Sequence, residues 1–173
     1  MPLLLIDRDS TLVETQSGED FPQKASDFKP IDGMKRCIAT CYELGYYIVV
    51  LSNQQGVGKF KSHKQVIEEM LYVAKLFDNK ISHLYYAPQD DYAVRVNTYG
   101  MIVHNIVTGD DNYVKPGAGM ALCAIKEYKE NHICDSDLDV LFVGDSPEDA
   151  GMAENAGIAF MTVDEFKGKY DDT

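Results

Sequence analysis

Apolar positions along the chain change period several times. Apolar-rich segments at Pro2–Ile6, Tyr46–Leu51, Ser82–Ala87, Val140–Val143 and Ile158–Thr162 read as strands, the first two buried. Between them lie stretches with helical spacing. Over Asp32–Leu44, the residues Met34, Ile38, Cys41 and Leu44 share one face, with Asp32 as the expected cap and Gly45 as the stop. Ser62 is expected to cap a helix over 63–77 that turns Val66, Ile67, Met70, Leu71, Ala74 and Phe77 inward. Pro116 suits the first turn of a helix running to Asn131. A short helix over Ser146–Asn155 stops at Gly157, and a last one covers Asp164–Tyr170. Residues 7–31, with Gly18, Pro22 and Pro30, read as loop. Pro88–Tyr113 shows no helical period, and Tyr99–Val107 within it is a candidate hairpin.

This alternation predicts an α/β fold, a three-layer Rossmann-like sandwich around a parallel sheet of about five strands. No repeat, low-complexity tract or linker divides residues 1–173, so one domain is expected. Neither connection is long enough for a separate cap domain. Leu12–Met34 is at most a flap, and 88–114 is expected to be a hairpin flap.

Composition narrows the class. At 173 residues and 45% hydrophobic, the chain can bury a core without disulfides or metal staples, and it is too apolar to be disordered. No apolar run approaches the ~20 residues of a membrane span. Asp7, Arg8 and Asp9 come too early for a secretory signal, so a cytoplasmic protein with no membrane partner is expected. Cys37, Cys41, Cys123 and Cys134 form no CxxC and read as reduced thiols. Net charge is −12, which disfavours broad contact with a phosphate backbone unless a local patch overrides it. Lys59, Lys61 and Lys64 are a candidate patch; they are equally a solvated helix start.

In such a sheet the chemistry lies beyond the carboxyl ends of the strands. After the first strand comes Asp7-Arg8-Asp9-Ser10-Thr11. Two carboxylates this close disfavour joint ionisation unless a cation relieves them or they divide acid and base roles. After the second strand, Ser52-Asn53-Gln54-Gln55-Gly56-Val57-Gly58 offers a hydroxyl and Gly-rich N–H groups suited to an anion. Lys115 precedes the Pro116 helix, where a cation opposes the macrodipole unless something negative is near. After the fourth strand, Asp145 and Asp149 are hard oxygen ligands of the kind that suits Mg²⁺. Singly, each reads as well as an acidic turn, a polar turn, a surface lysine or a helix-end charge. Together they bring a carboxylate pair, a hydroxyl, a lysine and an acidic pair to one sheet edge.

In that order these residues resemble the four motifs of the haloacid dehalogenase-like (HAD) phosphohydrolases. The longer stretches Ile6–Leu12, Ser52–Gly58, Lys115–Met120 and Ala153–Ile158 are similar to the histidinol-phosphatase, heptose-bisphosphate-phosphatase and polynucleotide 3′-phosphatase group. The resemblance implies Mg²⁺-dependent phosphomonoester hydrolysis. Asp7 would be the nucleophile that forms an aspartyl-phosphate, and Asp9 the general acid and base. Mg²⁺ would bind Asp7, the Asp9 carbonyl and Asp145, and Ser52, the Asn53 N–H and Lys115 would stabilise the developing charge. Thr11 would hold the loop near Asp9, and Asp149 would orient Lys115 or a metal-bound water.

Three departures from the group stand out. Ser10 replaces its usual glycine, which costs energy if φ is positive there. Residues 88–114 lack the Cys/His set of the group's zinc loop, so no zinc is expected, and Tyr99–Val107 is expected as a lid in its place. Val114 stands where an arginine often precedes the lysine, which puts histidinol phosphate and heptose bisphosphate in question as substrates.

The leading expectation is a phosphatase acting on a small phosphorylated metabolite. A 3′-phosphatase acting on nucleic-acid ends is the alternative with the same chemistry. A non-catalytic HAD-like binding module, or a phosphomutase without a visible cap, ranks lower. Oligomeric state is not legible in the sequence.

Overall fold

The computed structural model describes residues 1–99, 104–109, 111–132 and 137–171. In chain order the elements are β1 (Leu3–Ile6), β2 (Val13–Thr15), a 3₁₀ turn (Ala25–Asp27), β3 (Phe28–Pro30), α1 (Met34–Glu43), β4 (Tyr47–Asn53) and α2 (His63–Leu76). There follow β5 (His83–Gln89), β6 (Tyr92–Asn97), β7 (His104–Val107), α3 (Gly119–Asn131), β8 (Val140–Gly144), α4 (Pro147–Ala156), β9 (Ala159–Thr162) and α5 (Val163–Tyr170).

β1 is the centre of the molecule because all four of its side chains are apolar and fully buried. A strand apolar on both faces needs a layer above and a layer below. Leu4 and Ile6 pack into the layer built by α1, α2 and α5, with Cys37, Val66, Met70 and Phe166. Leu3 and Leu5 pack into the opposite layer with Met120, Ala124, Met152 and Phe142. Parallel neighbours flank β1 in register, Ile6 beside Val50 of β4 and Val143 of β8. The sheet order is β7-β6-β5-β4-β1-β8-β9. Its five central and right-hand members, β5, β4, β1, β8 and β9, are the parallel strands expected from the sequence.

Differences cluster where tertiary contacts override local signals. β6 and β7 extend the sheet to seven strands by antiparallel pairing on β5. The expected Tyr99–Val107 hairpin falls partly on this β6–β7 pair. Asn97 pairs with His83 at the start of β5, so the β6–β7 turn begins at the sheet end opposite the strand carboxyl ends. Residues 100–103 of that segment, like Cys134, lie outside the described residues. Strand β4 runs on to Asn53 because Ser52 and Asn53 still pair with Tyr86 and Ala87. Residues 7–31 are not all loop: β2 and β3 form a two-stranded antiparallel ribbon, and Asp27 ties its tip by accepting from the Ser17 N–H and hydroxyl and the Gln23 N–H.

Two helix starts differ as well. The cap of α1 is Gly33 at φ 83, not Asp32. Helix α3 begins at Gly119 rather than at Pro116, because the Gly119 N–H is taken by the Asn112 carbonyl. Ser62 caps α2 through a capping box with Gln65, as the sequence suggests. On its inward face, however, sits Glu69 among Val66, Met70 and Val73. Cys37, Cys41 and Cys123 are free thiols. Among the described residues no helix is long and apolar enough to cross a membrane.

Ser10 occupies the left-handed region at φ 60, where its N–H donates to the Val13 carbonyl and closes the turn after β1. A Cβ there is strained, by about 1 kcal/mol after the greater unfolded-state freedom of glycine is discounted. Ser10→Gly is therefore expected to raise Tm by about 2–4 °C, and Ser10→Val to lower it, in thermal melts.

Candidate active site

At the carboxyl ends of β1, β4 and β8 the structure opens a cleft of 480 Å³ lined by Asp7, Asp9, Ser52, Asn53, Lys115 and Asp145, among others. Each strand places its first polar residues where the ladder ends and the sheet fans apart. Asp7 follows buried Ile6, and Asp145 follows Gly144.

Lys115 is the hub. Its ammonium, 4% exposed, donates to Asp7 Oδ1 at 2.7 Å, Asp149 Oδ1 at 2.6 Å and the Leu51 carbonyl at 3.2 Å. Burial alone would strip its proton, but the carboxylates of Asp7 and Asp149 outweigh burial and hold it charged. Its backbone is pinned too: Asn53 Oδ1 accepts from the Lys115 N–H at 2.8 Å, and Asn53 Nδ2 donates to the Lys115 carbonyl at 3.1 Å. The Asn53 side chain thus positions the lysine, a role beyond the backbone N–H expected of it.

Asp149 has two tasks. One oxygen receives Lys115, while the other accepts from the N–H groups of Asp145 and Ser146 at the start of α4. A Cβ on Gly144 would fall 2.4 Å from that carboxylate, so only glycine fits at the end of β8. Asp149 therefore both holds the lysine and closes the α4 capping box with Ser146. Thr11, expected to hold the loop near Asp9, reaches two other carboxylates. Its hydroxyl lies 3.1 Å from Asp7 Oδ2 and 3.4 Å from Asp145 Oδ1, between the two carboxylates.

Burial pushes the Asp7 carboxyl up to about 7; Lys115 opposes the shift, and Asp149 adds to it. Asp145 is raised as well, by partial burial and then by Asp149. Carboxylate oxygens of Asp7, Asp145 and Asp149 all lie within 4.8 Å of one another. With one lysine against three carboxylates, and Asp149 already committed to Lys115 and two N–H groups, the pair Asp7 and Asp145 is a hard-oxygen donor set short of positive charge. That donor chemistry fits Mg²⁺.

On the other side, Asp9 is half exposed and ionised. Burial would raise its pKa, but Arg8 and then Gln54 outweigh burial and lower it. Ser52 is buried, and Gln54 Nε2 donates both to its hydroxyl at 2.9 Å and to Asp9 Oδ2 at 3.0 Å. Gln54, Arg8 and Glu69 were not singled out from the sequence. Gln54 sits inside a motif-bearing stretch, and Glu69 carries a signal in retrospect, a carboxylate on an otherwise apolar helix face. Lys61 leaves the expected basic patch, because its ammonium is buried against Glu69 at 2.8 Å.

A second, more enclosed cavity of 210 Å³ lies at the opposite end of the strands, beside Tyr47, His83, Arg95 and Glu127. It holds none of the residues expected to do chemistry, and Arg95 is already paired with Glu127.

The chain is 30% identical over 70 residues to D-glycero-beta-D-manno-heptose-1,7-bisphosphate 7-phosphatase of Neisseria meningitidis serogroup A, and the same holds for the serogroup B protein. That stretch is 40% of this chain and spans 36% of those relatives. Among solved structures, the D,D-heptose 1,7-bisphosphate phosphatase of B. bronchiseptica, complexed with magnesium and phosphate, superposes with a TM-score of 0.66 at 20% identity, over 92% of this chain and 79% of the other. A putative HAD-like phosphatase from Mesorhizobium loti gives 0.68 at 23% identity, over 92% and 70%. These structures share the fold. The family model described as polynucleotide kinase 3 phosphatase matches residues 2–167, nearly the whole chain, and the chain belongs to that family.

Proposed function

We propose that this chain is a phosphomonoester hydrolase that works through an aspartyl-phosphate on Asp7. The observation that carries the reading is the Asp7 carboxylate held between the Lys115 ammonium and the Thr11 hydroxyl at the floor of an open cleft. A carboxylate so fixed loses little freedom on attack. An Asp7 oxygen bonds to phosphorus as the bond to the leaving oxygen breaks, and Asp9, having first taken a proton from solvent on its exposed side, gives that proton to the leaving oxygen. A water then attacks the same phosphorus, Asp9 takes its proton, and the bond from phosphorus to Asp7 breaks to release inorganic phosphate. Lys115, the Ser52 hydroxyl and the backbone at Asn53 face the phosphoryl oxygens and stabilise their charge. Asp7, Asp145 and the Asp9 carbonyl would hold Mg²⁺, which neutralises phosphoryl charge when bound.

As substrate we propose a small phosphorylated metabolite. The chain's likeness over 70 residues to heptose-bisphosphate 7-phosphatases supports a sugar phosphate. One observation favours the second reading, a nucleic-acid 3′-end. Phe21 and Phe60 are both more than half exposed and meet in a tilted contact with centroids 5.1 Å apart, with Phe60 lying over Gly56, next to Gln55 in the cleft wall. Exposed Lys24, Lys59 and Lys64 stand near them in the chain, so bases have a stacking platform and phosphates have cations.

With Mg²⁺, phosphate release from a panel of sugar and amino-alcohol phosphates plus a 3′-phosphorylated oligonucleotide is expected for wild type, and none above background for Asp7→Asn. Phe60→Ala separates the substrates: about a tenfold loss of kcat/KM on the oligonucleotide follows from one lost stacking contact, with no loss on a sugar phosphate. Mg²⁺ at a hundredfold excess over its Kd is expected to stabilise wild type by ~2.7 kcal/mol, roughly 5–10 °C in Tm, and Asp145→Asn much less. In EDTA the raised Asp7 pKa works against stability as pH rises. The folded state favours the protonated carboxyl, so its stabilisation is complete below 3.8 and is lost through about 7. Asp7→Asn is therefore expected to gain Tm relative to wild type across that window.

A further inference from the structure

Glu69 is a carboxylate inside the core, 3% exposed on the inward face of α2. One of its oxygens accepts from Arg8 Nη1 at 3.1 Å, and both accept from Lys61 Nζ, at 2.8 and 3.1 Å. Arg8 is itself 1% exposed, with the Phe28 ring 4.9 Å from its guanidinium. Its other edge grips Asp9: Nε donates to Oδ1 at 2.8 Å and Nη2 to Oδ2 at 3.0 Å. Asp9, Arg8, Glu69 and Lys61 thus form a chain of alternating charge running from the cleft into the core.

Burying a carboxylate is costly, and neutrality does not require this one. Asp9 already balances Arg8, so two apolar residues at 61 and 69 would leave the pair neutral. What Glu69 adds is geometry. A guanidinium is planar, and donors fixed along two of its edges fix that plane. The plane of the fork in turn fixes the plane of the Asp9 carboxylate.

The acceptor count on Asp9 then becomes informative. An ionised carboxylate has about four lone-pair sites. Oδ2 spends both of its sites on Arg8 Nη2 and Gln54 Nε2, and Oδ1 spends one on Arg8 Nε. One site remains, on Oδ1, in a side chain that is half exposed. We infer that Glu69 is a positioning residue for proton transfer: through Arg8 it holds the Asp9 carboxylate so that the open lone pair of Oδ1 carries the proton given to the leaving oxygen. This rests on the phosphatase reading above and deepens it.

The test compares an alkyl phosphate, whose alkoxide must be protonated to leave, with p-nitrophenyl phosphate, whose phenolate leaves without a proton. The variant is Lys61→Met/Glu69→Met, which removes both charges together and keeps the core filled. In this variant, single-turnover release of the alcohol from the alkyl ester, which reads the first step before Asp9 acts on water, is expected to fall about 10–100-fold, part of the general-acid contribution, while single-turnover release of p-nitrophenolate changes less than about threefold. Asp9→Asn is expected to show the same selectivity more strongly. Glu69→Gln, which keeps the shape and one acceptor oxygen, is expected to show it more weakly, and it serves if the paired variant does not fold. An equal loss on both esters would make Glu69 a structural residue only, and no loss on either would deny it any role. If folded wild type with Mg²⁺ hydrolyses neither ester, the phosphatase reading is overturned and the inference with it.

Discussion

Burying the Lys115 ammonium is the constraint around which the cleft is built. A cation at that depth survives only with paired charge and satisfied donors, and the three acceptors it finds come from the end of β1, from β4 and from α4 after β8. Asp7 lies at the end of β1, the Leu51 carbonyl is on β4, and Asp149 follows β8. The lysine therefore ties the ends of the three central strands together. It also fixes its own neighbours. Asn53 clamps its backbone, and Gly144 has no side chain because the Asp149 carboxylate fills that space.

Charge is divided unevenly across the cleft. Around Asp7 burial, and after it the Asp149 carboxylate, raise the Asp7 and Asp145 pKa values, and the carboxylates outnumber the cations there, a charge balance that fits a divalent ion. Around Asp9 the balance is the reverse, since Arg8 and Gln54 supply donors to both oxygens and the carboxylate stays ionised. Two aspartates two residues apart thus have different environments. That is the physical condition for one to act as nucleophile and the other to move protons.

Access is governed by short elements rather than by a cap. The ribbon of β2 and β3 is tied at its tip by Asp27, and its Phe21 rests on Phe60 from the loop after β4. After β5, the described strands β6 and β7 widen the sheet on its β5 side. The cleft is left open at the face where a leaving group would extend.

Much of this was legible in the sequence. The four-residue apolar run Leu3–Ile6 marked the central strand, and Ser62, Gly45 and Gly157 marked helix ends, because these signals act within a few residues. Asp7, Asp9, Ser52, Lys115, Asp145 and Asp149 were legible as a set, since the end of a parallel strand is a fixed place in the fold and a polar residue just past an apolar run must stand there. Other features depended on contacts between distant segments. The Asn53 clamp on Lys115, the Thr11 hydroxyl between Asp7 and Asp145, the burial of Lys61 and the joining of β6 and β7 to the sheet each link residues whose local pattern is that of an ordinary turn, helix or strand. Glu69 is the clearest instance: its apolar neighbours on α2 mark an inward face, but only the arrival of Arg8 from 61 positions away makes it a link in a charge chain.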